Sequence, residues 1–123
     1  MSKDIERVVS ETASNLVRVN RVNGTFYINL PLVYPDGSFV TVRLDHVHSG
    51  IRVSDSGFAF RQVEDVSASR SFSRVASVAS DNFDVEVRDR AIVVDATEDD
   101  LHRAIIDVGT ASWTIASLIC RYK

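Results

Sequence analysis

Apolar residues near the N-terminus recur every three or four positions, which is the spacing of one face of an α-helix. Ser2 is suited to cap such a helix, and Asp4 lies in the first turn, where an acidic side chain favours the helix dipole. The pattern predicts a helix over residues 2–19. Its apolar positions are Ile5, Val8, Val9, Thr12, Ala13 and Leu16.

Alternating apolar and polar residues replace the helical spacing after Asn23-Gly24, and this alternation predicts three consecutive strands. The first strand runs to about Val33, the second covers residues 39–46, and the third begins at Ile51. Between them, "YPDGS" and "HSG" supply the proline and glycine that tight turns favour. Strands joined by such short turns form an antiparallel meander.

The segment after the third strand has weaker patterns. A short helix is predicted over residues 58–66, and a second helical face is predicted over residues 72–79, although the sequence there is rich in serine. A second hairpin follows over residues 83–96. In this hairpin the apolar residues that face inward are Val85, Val87, Ile92 and Val94.

The last apolar pattern predicts a long C-terminal helix that opens at Thr97 with an acidic first turn and continues to Tyr122. At about 1.5 Å per residue this helix would be about 40 Å long, which is more than a domain of this size covers by itself. Either Gly109 breaks the helix or part of it meets another subunit. The second alternative predicts a homodimer through the C-terminal helix.

Together these elements predict one α+β domain that spans residues 1–123. We expect a mixed or antiparallel sheet of about five strands, made of the three-stranded meander and the later hairpin. The N-terminal, middle and C-terminal helices should pack mainly on one face of this sheet.

Composition narrows the functional classes. The chain of 123 residues is 45% hydrophobic and 25% charged, which is typical of a globular protein. Its net charge of −3 argues against a nucleic-acid binder that neutralises many phosphates. Cys120 is the single cysteine, so neither an intrachain disulfide nor a multi-thiolate metal site is expected. No apolar run is long enough to cross a membrane and no signal peptide is recognisable, so we expect a cytoplasmic protein.

The stretch "LDHVHSGIRVSDSG" concentrates groups that can bind a metal or move a proton. His46 and His48 are two positions apart, so on a strand both imidazoles would point to one face, and Asp55 could complete a metal site. This hypothesis gives a small metal-assisted hydrolase or nuclease. The alternative, which we favour, is that Asp55 shapes a turn by accepting hydrogen bonds from backbone amides, with positive φ at Gly57.

Two further groups of residues are candidates for binding. Arg61, Arg70 and Arg74 lie among serines and could bind an anion or an acidic partner, although we favour the interpretation that they form a solvated helix face. The second group is the surplus apolar face of the C-terminal helix. It consists of Ile106, Trp113 and Ala116, and we expect it to be a protein interface, because tryptophan is a frequent interface anchor.

The stretch from "YPDGSFVTVRLDHVHSGIRV" through the turn Ser54-Asp55-Ser56-Gly57 resembles a family of small prokaryotic and phage domains of unknown function. In that family a threonine-aspartate-x-glycine turn ends the third strand, and serine replaces the threonine here. The later "FDVEVRDRAIVVDATEDDLHRAI" is similar to the family's second hairpin and closing helix. The resemblance implies a compact α+β unit, often encoded on mobile elements, without an established set of catalytic residues.

The favoured functional hypothesis is therefore a non-enzymatic protein-binding module without metal or cofactor. The resemblance adds that small phage-borne domains of this kind often bind and inhibit a host protein, so a host-defence protein is the expected class of partner. The metal-assisted hydrolase that uses His46, His48 and Asp55 remains the alternative.

Overall fold

The computed structural model describes residues 2–62, 77 and 80–121 of the chain. The first helix and the first four strands alternate with short turns. Their bounds are α1 (Ser2–Asn15), β1 (Arg18–Val22), β2 (Thr25–Val33), β3 (Phe39–Val47) and β4 (Gly50–Ser54). The remaining elements are α2 (Phe58–Arg61), β5 (Glu86–Arg88), β6 (Ala91–Ala96) and α3 (Leu101–Arg121).

The six strands form one antiparallel sheet in the order β1-β2-β3-β4-β6-β5. Helix α3 lies across one face of this sheet and contacts β2, β3, β4 and β6, while α2 packs beside α3. The predicted α+β class, with a long C-terminal helix over an antiparallel sheet, is therefore confirmed. Within the described part of the chain, no helix is both long and apolar enough to traverse a lipid bilayer.

The hydrophobic core lies between α3 and the sheet. Strand β3 shows the alternation that the sequence predicts, because Val40, Val42 and Leu44 are buried and the residues between them are half-exposed. From α3 the core receives side chains four and three positions apart, which is one face of a helix. These helical core residues are Ala104, Val108, Ala111, Ile115 and Ala116.

The opposite face of the sheet is polar and carries a chain of paired charges. Arg43 donates to Asp45, and Arg52 donates to Asp95 from the neighbouring strands β4 and β6. Arg88 on β5 also lies 3.7 Å from Asp95. Strands β3 to β6 therefore carry their charged side chains on the face of the sheet that lies away from the apolar core.

Strand β1 corrects the predicted N-terminal helix, which ends at Asn15 and not at residue 19. Asn23 and Gly24 both have positive φ, and they join β1 to β2 with Val22 opposite Thr25. An Asn-Gly pair is the strongest short hairpin signal, so a strand was to be expected on both sides of it. The sheet consequently has six strands and not five.

Helix α3 continues through Gly109 without a break, and Gly109 serves a packing role. A β-carbon built at Gly109 would lie 2.2 Å from Cδ1 of Leu30 on β2. The missing side chain therefore lets α3 approach the sheet closely. The middle helix is described only as far as residue 62, so most of the helical pattern predicted for residues 58–66 and 72–79 lies outside the described residues.

Candidate protein-interaction surface

Trp113 on α3 is held against the end of β2 by a hydrogen bond. Its indole N–H donates to the backbone carbonyl of Val33 at 3.0 Å, and the side chain remains 37% exposed. Val33 is in turn the cross-strand neighbour of Phe39 at the start of β3. Val33 and Phe39 are also exposed, so large apolar side chains are exposed both on α3 and on the β2–β3 hairpin at this end of the sheet. We call Trp113, Val33 and Phe39 the Trp113 surface.

The Trp113 surface has the composition of an interface anchor. Tryptophan presents a large apolar ring and one polar group, and this ring is fixed because its N–H already has an acceptor. A fixed ring loses little conformational entropy when a partner covers it.

Two of the three residues predicted to form an interface on α3, Ile106 and Trp113, are exposed. Ile106 is half-exposed and lies two helical turns, or about 10 Å, before Trp113. Ala116 is fully buried against the sheet together with Ile115, so it has no surface to offer a partner. The reason is its position four residues after the buried Ser112, on the core side of the helix. The prediction for Ala116 is corrected accordingly.

The residues of the proposed metal site are not brought together. His46 is near the end of β3 opposite Ile51, and His48 lies in the following turn, outside the strand; both are exposed. Asp55 follows the far end of β4, four residues beyond Ile51, which corresponds to about 13 Å along the strand. Among the residues that the structure describes, no group of three or more histidine, cysteine or acidic side chains is arranged to hold a metal ion.

Asp55 is fully buried, and its carboxylate is occupied by protein groups. Oδ1 accepts hydrogen bonds from the backbone N–H of Gly57 and of Ile92, both at 2.9 Å. Oδ2 accepts from the N–H of Ala59 at 3.2 Å and from the hydroxyl of Ser112 at 2.8 Å. The prediction that this aspartate bonds backbone amides is confirmed, as is the positive φ of Gly57.

A second buried hydroxyl extends this arrangement to Tyr34. The Tyr34 hydroxyl lies 2.6 Å from Oγ of Ser112, and because Ser112 gives its proton to Asp55, Tyr34 is the donor. Burial is the main cause that raises the pKa of Tyr34; the nearby carboxylate of Asp55 acts in the same direction, and the hydrogen bond with Ser112 opposes it. The hydrogen-bonded network of Tyr34, Ser112 and Asp55 is buried throughout. It therefore joins structural elements and offers no group to a substrate.

Sequence reasoning missed Ser112 and Tyr34 as partners of Asp55. The signal for Ser112 is that a hydroxyl interrupts the apolar seam of the C-terminal helix between Val108 and Ile115. A buried hydroxyl needs a hydrogen-bond partner, which is either a backbone carbonyl of the preceding helical turn or another polar group of the core. The pairing itself joins residues 57 positions apart, which a local pattern cannot indicate.

The predicted anion-binding arginines are described only in part. Arg61 is exposed at the end of α2, and its guanidinium lies over the ring of Phe58, 5.1 Å from the centroid. The guanidinium of Arg61 therefore covers the ring of Phe58 in a cation–π contact, which explains its position without a bound anion. Arg70 and Arg74 lie outside the described residues, as does the side chain of Cys120.

A cleft of about 250 Å³ opens between β6 and α3. Its charged lining includes Asp84, Asp100 and Asp107 around Arg103. Most small-molecule pockets are lined by apolar side chains with a few convergent polar groups, and this cleft has the opposite balance. It is therefore a weaker candidate for function than the Trp113 surface.

No family model matches the chain, and no curated protein or solved structure shows significant similarity to it.

Proposed function

We propose that this protein is a non-enzymatic binding module that recognises another protein in the cytoplasm through the Trp113 surface. The observation that carries the proposal is the fixed, exposed indole of Trp113 at the end of the β2–β3 hairpin, where Val33 and Phe39 are also exposed. Tryptophan is enriched among the residues that dominate binding energy, especially where neighbouring residues exclude water from it.

The buried polar groups support the same conclusion. Asp55, the carboxylate of the alternative metal site, is fully buried and accepts a hydrogen bond from Ser112, which is fully buried as well. Catalytic groups must reach a substrate. These two groups instead form hydrogen bonds that hold α2, β6 and α3 together. The burial of these two groups favours recognition over chemistry at this position in the fold.

The partner should present an apolar pocket or a small apolar patch that accepts the indole. The resemblance of the Ser54-Asp55-Ser56-Gly57 turn to domains of mobile elements leads us to propose a host protein, such as a defence protein, whose activity is blocked by the bound module. The partner would lose activity because its surface is covered, without any chemical change.

A comparison of matched variants tests this proposal. The tagged chain, Trp113→Ser, Phe39→Ser and Val87→Ser would be used to capture proteins from a host lysate. Val87 is as exposed as Trp113 but lies on β5 at the far edge of the sheet, so it controls for the general loss of an exposed apolar side chain. We expect one companion at a fixed ratio with the unaltered chain and with Val87→Ser, and its loss with the other two variants.

The purified companion then gives the affinity by calorimetry. Because a central anchor contributes about 2 kcal/mol or more, Trp113→Ser should weaken binding at least about 30-fold. Binding that is equally strong in all four proteins would place the contact elsewhere and overturn the proposal. Failure of the unaltered chain to retain any companion would also overturn it.

A further inference from the structure

Strand β1 forms one edge of the sheet. In the order β1-β2-β3-β4-β6-β5 it is paired with β2 alone, and all five of its side chains are exposed. Within the described part of the chain, no strand pairs with its outer side. The outer side therefore presents backbone N–H and C=O groups that can pair with another extended segment.

The geometry of the β1–β2 hairpin identifies which backbone groups point outwards. A two-residue turn joins the strands, so the pair that flanks it, Val22 and Thr25, is a hydrogen-bonded pair. Hydrogen-bonded pairs alternate with non-bonded pairs along an antiparallel ladder, and the register between β1 and β2 has no shift. The N–H and C=O groups of Val19 and Arg21 therefore face away from β2.

Of the two edges of the sheet, β1 offers the longer template. Natural edge strands avoid further pairing when they are very short, bulged or interrupted by proline. Strand β5, at the other edge, has only three residues and ends at a tight turn in which Asp89 and Arg90 both have positive φ. Strand β1 has five residues, no proline and a regular register, so none of these three devices protects it.

The charge at this edge is positive although the chain is acidic overall. Residues 16–33, which include β1 and β2, contain Arg18 and Arg21 and no acidic residue, whereas the net charge of the chain is −3. Neither arginine forms an ion pair with another described residue. The register places Arg18 on the polar face of the sheet and Arg21 on the face that carries α3.

We propose that β1 binds an extended acidic segment of a partner protein, which is added to the sheet antiparallel to β1. An added strand has side chains on both faces, so one acidic residue can lie opposite Arg18 and a second one opposite Arg21. An apolar residue fits opposite Val19. Along the partner the pattern is therefore acidic, any residue, apolar, acidic.

The same charges disfavour a second copy of β1 at this position, because two copies would bring four arginines together along one seam. The main-chain hydrogen bonds give affinity in this mode of recognition, and the side chains on the two faces give specificity. None of the residues involved belongs to the Trp113 surface, so the inference does not rest on the proposed function.

The probe is a capped hexapeptide, Thr-Glu-Thr-Val-Glu-Thr, whose glutamates and valine match the pattern. It is titrated to about 1 mM into the nitrogen-15-labelled full chain, and we expect a Kd of about 100 µM by NMR. The amide protons of Val19 and Arg21 should shift and exchange more slowly with solvent. The peptide with lysine in place of both glutamates should bind at least about tenfold more weakly. Methylation of the valine nitrogen should abolish binding, because that N–H would donate to the carbonyl of Val19.

Val19→Pro tests the backbone of the edge. Proline at this position removes an N–H that faces away from β2, so the hairpin should keep its fold while the peptide no longer binds. Val19→Thr is the matched control, because it keeps the N–H and a β-branched side chain and should bind like the unaltered chain. Circular dichroism checks the fold of both variants. Trp113→Ser should also bind the peptide normally, which separates this inference from the proposed function.

Reversal of charge tests specificity without a change of the backbone. The double variant Arg18→Glu with Arg21→Glu should prefer the lysine peptide over the glutamate peptide by at least about tenfold. Unchanged amide signals of Val19 and Arg21 at about 1 mM glutamate peptide would overturn the proposal, as would equal binding of the two peptides by the unaltered chain. So would a mass of twice 13.6 kDa by light scattering that Val19→Pro returns to 13.6 kDa, since a second copy would then occupy the edge.

Discussion

The hydroxyl of Ser112 donates a 2.8 Å hydrogen bond to Oδ2 of Asp55, although the two residues are 57 positions apart and neither is exposed. The same carboxylate accepts the N–H of Ile92 on β6 and the N–H of Ala59 in α2. One buried side chain thus joins three elements that pack around it. Satisfied buried polar networks of this kind fix one arrangement of a core, because any other arrangement leaves a polar group without a partner.

Replacing Asp55 by asparagine should destabilise the fold strongly. The new amide nitrogen donates hydrogen bonds, so it would face groups that are themselves donors, such as the N–H of Ala59. Leaving buried donors without an acceptor should lower the free energy of unfolding by about 3 kcal/mol, measured by urea denaturation.

Asp89→Asn is the matched control for this experiment. Asp89 is exposed and has a φ of 50°, a conformation that asparagine tolerates well. The control should unfold at nearly the same urea concentration as the unaltered chain. If Asp55→Asn does so too, the carboxylate is not the centre of a structural network.

Ionisation of Tyr34 should make the fold less stable in alkali. Its pKa is raised above the ordinary value of 10.0, mainly by burial, so the folded chain holds this proton more tightly than the unfolded chain does. The contribution of Tyr34 is complete below pH 10 and decreases as the pH rises above it, by up to about 1.4 kcal/mol for each pH unit.

The measurement compares urea denaturation of the unaltered chain and of Tyr34→Phe between about pH 8 and pH 11. Tyr34→Phe loses the hydrogen bond to Ser112 and should be less stable near neutral pH by about 1 kcal/mol. The difference between the two proteins should shrink above pH 10, since phenylalanine does not ionise. A difference that stays constant over the whole range would show that Tyr34 does not titrate with folding.

Much of the fold follows from local pattern in the sequence. The alternation at Val40, Val42 and Leu44 predicts a half-buried strand, and the structure buries those three side chains. The local sequence also predicts the role of Asp55 in its turn. An aspartate two residues before a glycine commonly accepts a hydrogen bond from that glycine's N–H, as Asp55 does from Gly57. Such signals act over a few residues and do not depend on the rest of the chain.

Features that depend on distant residues were not predictable in this way. Strand β1 is not one of these features: it has no buried side chain and lacks the alternation of a half-buried strand, but the adjacent Asn23-Gly24 turn is a local signal for it. Ala116 was expected at an interface, but its burial depends on how α3 is rotated on the sheet. That rotation is set in part by the contact of Gly109 with Leu30, a feature of packing and not of local sequence.

Gly50 should not tolerate a side chain. A β-carbon at this position would lie 2.3 Å from the carbonyl oxygen of Ala96, and β4 and β6 are paired at this point through Ile51 and Ala96. Because the obstacle is backbone, relief requires a shift of one strand. Gly50→Ala should lower the free energy of unfolding by about 2 kcal/mol.

The neighbouring Ser49→Ala is the control for Gly50→Ala, since Ser49 is an exposed residue of the same turn. Urea denaturation should show a clear loss for Gly50→Ala and little change for Ser49→Ala. Equal stability of the two variants would mean that the β4–β6 pairing adjusts freely near the turn.

Arg52 should control the acid titration of Asp95 on the polar face of the sheet. Arg52 donates two hydrogen bonds, of 2.8 and 3.2 Å, to the carboxylate of Asp95. These bonds are the main cause that lowers the pKa of Asp95 below its ordinary value of 3.8. The positive charges of Arg52 and Arg88 lower it further. Arg52→Gln removes the guanidinium and should raise the pKa of Asp95.

The sign of the effect on stability follows from this shift. A carboxyl group with a lowered pKa in the folded chain stabilises the fold above its unfolded pKa, and the contribution is lost as the pH falls through the folded pKa. The unaltered chain should therefore lose more stability below pH 3.8 than Arg52→Gln does, by a small amount because the pair is partly exposed. Carbon-13 NMR of the Asp95 carboxyl group measures the pKa directly, with Arg18→Gln on β1 as a control that should leave it unchanged. An unchanged Asp95 titration in Arg52→Gln would assign the lowered pKa to Arg88, which lies 3.7 Å from the same carboxylate.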